Sequence, residues 1–214
     1  MARSALLPLV VLALALTGCV TSQPYDYSAY RLHPPRSILV VPPLNESTTV
    51  EGTYGYLSTV SRPLAELGYY VFPVAVVDQF FKENGLPTAG EMHQVPLNKL
   101  VELTGADAVL FPTLIEYGSK FQLVSTTAIV RVKASLVDTR TGTLLWEGTG
   151  MAQQGSNGSG SLLADLVAAA VTQAINTGTD AAHNVSRAAN ANLFYAPGRG
   201  LPYGPYSPKS GQAP

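Results

Sequence analysis

The chain of 214 residues holds one cysteine, Cys19. Without a second thiol no internal disulfide can form, so the fold must rest on its own apolar core. Charge is scarce and balanced: 13% of residues are charged, with 13 Lys and Arg against 14 Asp and Glu. That balance gives no electrostatic footprint for nucleic acid and no basic stripe for anionic lipid. Histidine is rare too. His33, His93 and His183 belong to no H-E-x-x-H pair, which leaves a zinc site without local support. No G-x-S-x-G elbow and no G-x-G-x-x-G fingerprint occur. The loop "GSNGSGS" (Gly155 to Ser161) precedes an apolar segment but lacks the lysine of a phosphate-binding loop. These absences lead to the expectation of a chain that is not an enzyme and takes no cofactor and no metal.

What is present begins at the N-terminus. Arg3 is followed by an apolar stretch from Ala5 to Leu16 and then by small residues, the pattern of a secretory signal over residues 1–18. The stretch is shorter than the roughly 20 residues a bilayer span needs and contains Pro8. Leu16-Thr17-Gly18-Cys19 resembles the lipobox of bacterial lipoproteins, in which cleavage falls between the last two positions, here Gly18 and Cys19, and the thiol carries acyl chains. Cys19 is therefore the expected lipid attachment point, and the acyl chains the expected contact with the membrane.

Residues 19–35 read as the lipidated N-terminus and a tether that, at about 3.1 Å per residue, would hold a domain up to roughly 50 Å from the bilayer. The tyrosines of "QPYDYSAY" could equally pack back on that domain. "SILVVPPL" (Ser37 to Leu44) has the unbroken apolar character of an interior strand. Tyr54, Leu57, Val60 or Ser61, Leu64 and Leu67 follow at helical spacing, closed by Gly68. "YYVFPVA" is a second strand and "VVDQFFKENG" a short helix. Thr88 and Glu91 have the spacing of a capping box, and Pro96 starts a helix that Gly105 ends.

From Asp107 to Gln154 three strands are predicted, the last two joined by the tight polar turn Asp138-Thr-Arg-Thr-Gly142. "LLADLVAAAVTQAINTG" is then an amphipathic helix whose apolar stripe includes Leu162, Leu166, Ala170 and Ala174. Core packing is one reading of that stripe; a face shared with a partner or a second copy of the chain is the other. A helix resumes from Thr179 to Leu193, and the Pro- and Gly-rich residues 196–214 read as a disordered tail. Alternating strands and helices followed by a meander predict a single α/β domain over 36–195, a mixed β-sheet with helices on both faces.

The segments "QPYDYSAYRLHPPRSILVVPPLNE", "GYYVFP", "NGLPTAGEMHQV", "GADAVLFPTL", "LVDTRTGTLLWEG" and "QGSN" resemble a family of uncharacterised bacterial lipoproteins that includes a neisserial vaccine-candidate lipoprotein. The resemblance implies a domain similar to the N-terminal domain of TolB and to the curli-secretion lipoprotein. It also implies a structural or accessory subunit of a cell-envelope assembly or secretion complex, partnered by another envelope lipoprotein such as a curli-secretion-like subunit. It carries no catalytic residue onto this chain. Val20 rather than Asp after Cys19 favours the outer membrane in the general lipoprotein pattern. The rival functions are a lipid-tethered periplasmic hydrolase or carbohydrate-binding protein, and a surface-exposed antigen.

Overall fold

The computed structural model describes residues 24–122, 125–155 and 178–213. In chain order these form α1 (Ser28–Leu32), β1 (Ser37–Val40), β2 (Leu44–Asn45), α2 (Gly52–Glu66), β3 (Tyr70–Val71), α3 (Val74–Glu83), α4 (Ala89–Met92), α5 (Leu97–Thr104), β4 (Ala108–Gln122), β5 (Ser125–Asp138), β6 (Leu144–Gly155) and α6 (Gly178–Phe194).

The sheet has six strands in the order β3-β1-β4-β5-β6, with β2 also beside β4. β1 runs parallel to β3 and β4, while β4, β5 and β6 form an antiparallel meander. β1 and β2 are two pieces of one strand along β4. Pro42 and Pro43 interrupt it because neither can donate to the ladder: Val41 donates to Leu110 just before them, and Glu46 resumes donation, to Leu114, beyond them.

The alternation in β1 sends Ile38 and Val40 to one face and Leu39 and Val41 to the other, all fully buried. On the first face Leu110, Val132, Leu136 and Trp146 meet Leu57, Val60 and Leu64 of α2 and Val185, Ala189 and Leu193 of α6. On the second, Leu39, Val41 and Val109 meet Val77 and Phe81 of α3, Met92 of α4 and Leu100 of α5. The mixed sheet with helices on both faces is thus as the sequence predicts, with uneven coverage.

Local signals act as expected in several places. Thr88 and Glu91 form the reciprocal capping box of α4, and Gly105 takes the left-handed conformation that ends α5. α6 lies close on β6 because Gly150 has no side chain: a Cβ there would meet the carbonyl oxygen of Ala189 and the Cβ of Leu193. α2 and α6 also share a buried polar cluster. The Thr59 hydroxyl lies 2.8 Å from that of Ser186, and the Asn190 amide donates to Thr59 at 2.9 Å.

Three expectations need correction. "YYVFPVA" supplies only the two residues of β3, since Val74 already belongs to α3. The domain does not begin at residue 36: Tyr27 and Tyr30 are buried in the main core and Tyr25 packs against it. Nor does it end at 195. The backbone amides of Gly204 and Tyr206 donate to Leu67 and Gly68 at the end of α2, Tyr203 and Gly211 bond within the tail, and Leu201 is fully buried. Proline and glycine serve here to bend an ordered strap.

Candidate anchoring and partner surfaces

The N-terminal segment is fastened by its tyrosines. The Tyr25 hydroxyl accepts the backbone N–H of Glu147 at 2.8 Å, on the open edge of β6. The Tyr27 hydroxyl donates to the carbonyl of Gly200 at 2.7 Å. Tyr30 and Tyr69 share a bond of 2.7 Å between their hydroxyls, and Tyr69 donates to the carbonyl of Pro202. Burial raises all four phenols above their ordinary range, so each stays neutral and able to donate. Trp146, fully buried against Phe194, donates from its indole N–H to the carbonyl of Arg199 at 3.0 Å. One hydrogen-bonded layer thus closes the end of the sheet at which β1 and β4 start.

This layer shortens the tether. Cys19 and Gly18 lie outside the described residues, but the chain is docked from Tyr25 onward. About five steps separate Cys19 from Pro24, a reach of about 17 Å at full extension. The folded body therefore begins far closer to Cys19 than the tether of 19–35 implies.

A second surface is the half of the sheet that no described helix covers. On β5, Val130, Val132 and Ala134 point into the core, while Arg131, Lys133 and Ser135 point away from it. Arg131 pairs with Glu116 at 2.9 Å and Lys133 with Glu147 at 3.6 Å across this face. Exposed ion pairs of this kind contribute at most about 1 kcal/mol each. Beside them Thr149, Met151 and Gln153 of β6 are exposed. β6 is the sheet's long edge, covered where Tyr25 takes the N–H of Glu147 and where the Asn192 amide donates to the carbonyl of Met151 at 2.8 Å. The alternation of "IVRVKAS" contained the signal for this surface.

The predicted partner face, Leu162, Leu166, Ala170 and Ala174, lies outside the described residues, as does the loop from Ser156 onward. The histidines are dispersed. His93 Nε2 lies 2.8 Å from the carbonyl of Pro42 with its ring edge-on to Phe111, and burial lowers its pKa. His183 is 3.4 Å from the Ser58 hydroxyl, and His33 follows α1. Among the described residues no group of three or more His, Cys, Asp or Glu is placed to hold a metal, and no helix is long and apolar enough to cross a membrane.

A mixed sheet with this strand order, closed at one end by the docked N-terminal segment and the C-terminal strap, defines an α/β domain with helices on both faces. The chain belongs to the family described as "Putative lipoprotein GNA1162-like", whose model matches residues 25–206. A lipoprotein of Neisseria meningitidis serogroup B is 48% identical over 184 residues, which cover 85% of this chain and 86% of that one. The crystal structure of lipoprotein GNA1162 from Neisseria meningitidis is 51% identical, with a TM-score of 0.56, and covers 65% of this chain and 97% of that one. A more distant likeness, the PelC dodecamer from Paraburkholderia phytofirmans, is 13% identical with a TM-score of 0.44, covering 78% and 90%. The family match takes in the N-terminal tyrosines and much of the C-terminal strap, the two segments that together close the end of the sheet.

Proposed function

We propose that this lipoprotein is held in the outer membrane by acyl chains on Cys19, faces the periplasm, and serves without catalysis as an accessory subunit of a cell-envelope assembly or secretion complex. The observation that carries the reading is the docking of Tyr25, Tyr27 and Tyr30, which starts the folded body within a few residues of the lipobox cysteine. A chain tied so closely to its anchor acts at the membrane surface. Several acyl chains on one residue give the stable attachment that a single chain does not, and Val20 after Cys19 favours the outer membrane.

The uncovered face of β5 and β6 is the surface for a protein partner. Its side chains mix Arg131, Glu147 and Met151, the combination of charge and adaptable apolar groups that suits a polar, wet interface. The partner is another envelope lipoprotein or a second copy of the chain.

Fractionation of cells expressing Cys19→Ala tests the anchor. The variant is expected in the soluble periplasmic fraction and the parent in the outer-membrane pellet. Equal retention of both in the pellet would overturn the anchoring reading. Protease treatment of intact cells tests the orientation: the parent should survive until the outer membrane is opened, and digestion on intact cells would contradict the inward-facing arrangement.

A further inference from the structure

The docked end of the domain carries a cluster of side chains that its internal contacts do not use. Arg31, at the end of α1, and Arg36, just before β1, are exposed, and neither is within ion-pair distance of a carboxylate among the described residues. Between them and the C-terminal strap opens a groove of about 420 Å³ lined by Arg31, Arg36, Tyr203 and Ser210 among others. Lys209 lies over the Tyr203 ring at 5.3 Å, and Arg199 is exposed on the same strap.

Of the acids at this end only Asp107 is paired with a cation, Arg140 at 3.3 Å. Asp26 and Asp138 accept backbone N–H groups and keep their charge, and Arg31 acts on Asp26 at longer range. Set against those two carboxylates, Arg31, Arg36, Arg199 and Lys209 still leave an excess of positive charge, although the chain as a whole has a formal net charge of −1.

Large apolar side chains stand beside these cations. Leu32 is 76% exposed and Tyr206 68%. A leucine and a tyrosine held out beside arginines and a lysine are the composition of a surface that enters the headgroup layer of a bilayer. The stretch between Cys19 and Pro24, at most about 17 Å long, keeps this end of the domain near the residue at the lipobox position.

We infer that the end of the domain formed by α1 and the C-terminal strap seats on anionic phospholipid, with Leu32 and Tyr206 in the headgroup layer and Arg31, Arg36 and Lys209 on lipid phosphates. The inference deepens the anchoring reading by giving the domain a fixed orientation. β4 then runs away from the membrane and β5 back toward it, and the uncovered sheet face stands roughly upright on it, open to a partner in the periplasm. The even charge balance of the sequence concealed this surface because the cations that form it come from both ends of the chain.

The test uses the mature chain with Cys19→Ala, so it does not depend on acylation. An environment-sensitive fluorophore is placed at Leu32→Cys or, in a separate protein, at Val50→Cys, which precedes α2 and is also highly exposed. Vesicles of phosphatidylethanolamine with phosphatidylglycerol should shift the emission of the label at 32 to the blue and leave the label at 50 unchanged. Vesicles of phosphatidylcholine alone should shift neither. A basic side chain at an anionic surface is worth about fivefold in partitioning, so Arg31→Ala with Arg36→Ala should weaken binding roughly 25-fold, and Lys133→Ala on the open sheet face should not.

Equal shifts at both labels, no preference for the anionic vesicles, or full binding by the arginine variant would overturn the proposal. Inorganic phosphate that quantitatively displaced the protein from vesicles at low millimolar concentration would also overturn it, by assigning the groove to a soluble anion. Because acylation is absent throughout, failure here leaves the Cys19 fractionation result standing, and failure of that fractionation leaves this one standing.

Discussion

The hydroxyls of Tyr30 and Tyr69, 39 residues apart in sequence, share a hydrogen bond of 2.7 Å, and Tyr69 passes the chain on to the carbonyl of Pro202. One phenol thus joins the N-terminal helix, the first edge of the sheet and the C-terminal strap. Its burial raises the Tyr69 pKa far above the ordinary value of 10.0.

Tyr69→Phe keeps the ring and removes the junction. It leaves the Tyr30 hydroxyl and the Pro202 carbonyl without this partner, which should cost about 1–3 kcal/mol. A folded pKa raised above the unfolded one gives stability that is complete below about pH 10 and is lost as pH rises beyond it. Thermal melts of parent and variant should therefore converge as pH rises above about 10. A Tyr69→Phe chain as stable as the parent at neutral pH would show that the junction contributes nothing.

Asp138 governs the turn between β5 and β6. Its burial acts to raise the carboxyl pKa, but the backbone and hydroxyl of Thr141 and the backbone of Arg140 bind the charged form and bring the balance below the ordinary value. Gly142 completes the turn at φ 71°, donating its N–H to the Asp138 carbonyl at 3.0 Å. Asp138→Ala should destabilise by about 1–3 kcal/mol at neutral pH. A depressed folded pKa contributes stability that is present above about pH 4 and lost as pH falls through the folded value. Melts at pH 7 and near pH 3 should show the gap narrowing; a gap of constant size would contradict the assignment.

His93, half-buried against Phe111, donates from Nε2 to the carbonyl of Pro42. Burial lowers its pKa, and the bond to the Pro42 carbonyl opposes that only in part. The protein should therefore lose stability as pH falls below about 6.5, where the unfolded imidazole gains a proton that the folded one resists. His93→Gln should flatten the slope of stability against pH between about 5 and 7. An unchanged slope would place the titrating group elsewhere.

The legible parts of the fold are those written in local chemistry. The capping box of Thr88 and Glu91, the stop at Gly105 and the turn from Asp138 to Gly142 each need only neighbours in sequence, and each is where the spacing puts it. The C-terminal strap was illegible because its order comes from contacts across more than 130 residues, with Leu67 and Gly68, just past the end of α2, supplying the carbonyls. Composition rich in proline and glycine describes equally a chain with no partners and one whose partners are far away.

The sites divide in the same manner. The polar alternation of Arg131, Lys133 and Ser135 marks a solvated sheet face in sequence, whereas the groove that brings Arg31 and Arg36 to Tyr203, with Lys209 over its ring, needs the fold. Cys19 remains a reading of the motif, and Leu162, Leu166, Ala170 and Ala174 lie outside the described residues.

The central claim is that the lipoprotein works by contact with another chain at the membrane, and crosslinking in living cells tests it most directly. A photoreactive residue at Thr149 or Gln153, on the exposed face of β6, should yield a discrete adduct with an envelope lipoprotein or a second copy of the chain in purified outer membranes. The same residue at Lys99, on the exposed side of α5, should not. Recovery of the monomer alone from both β6 positions would contradict the account.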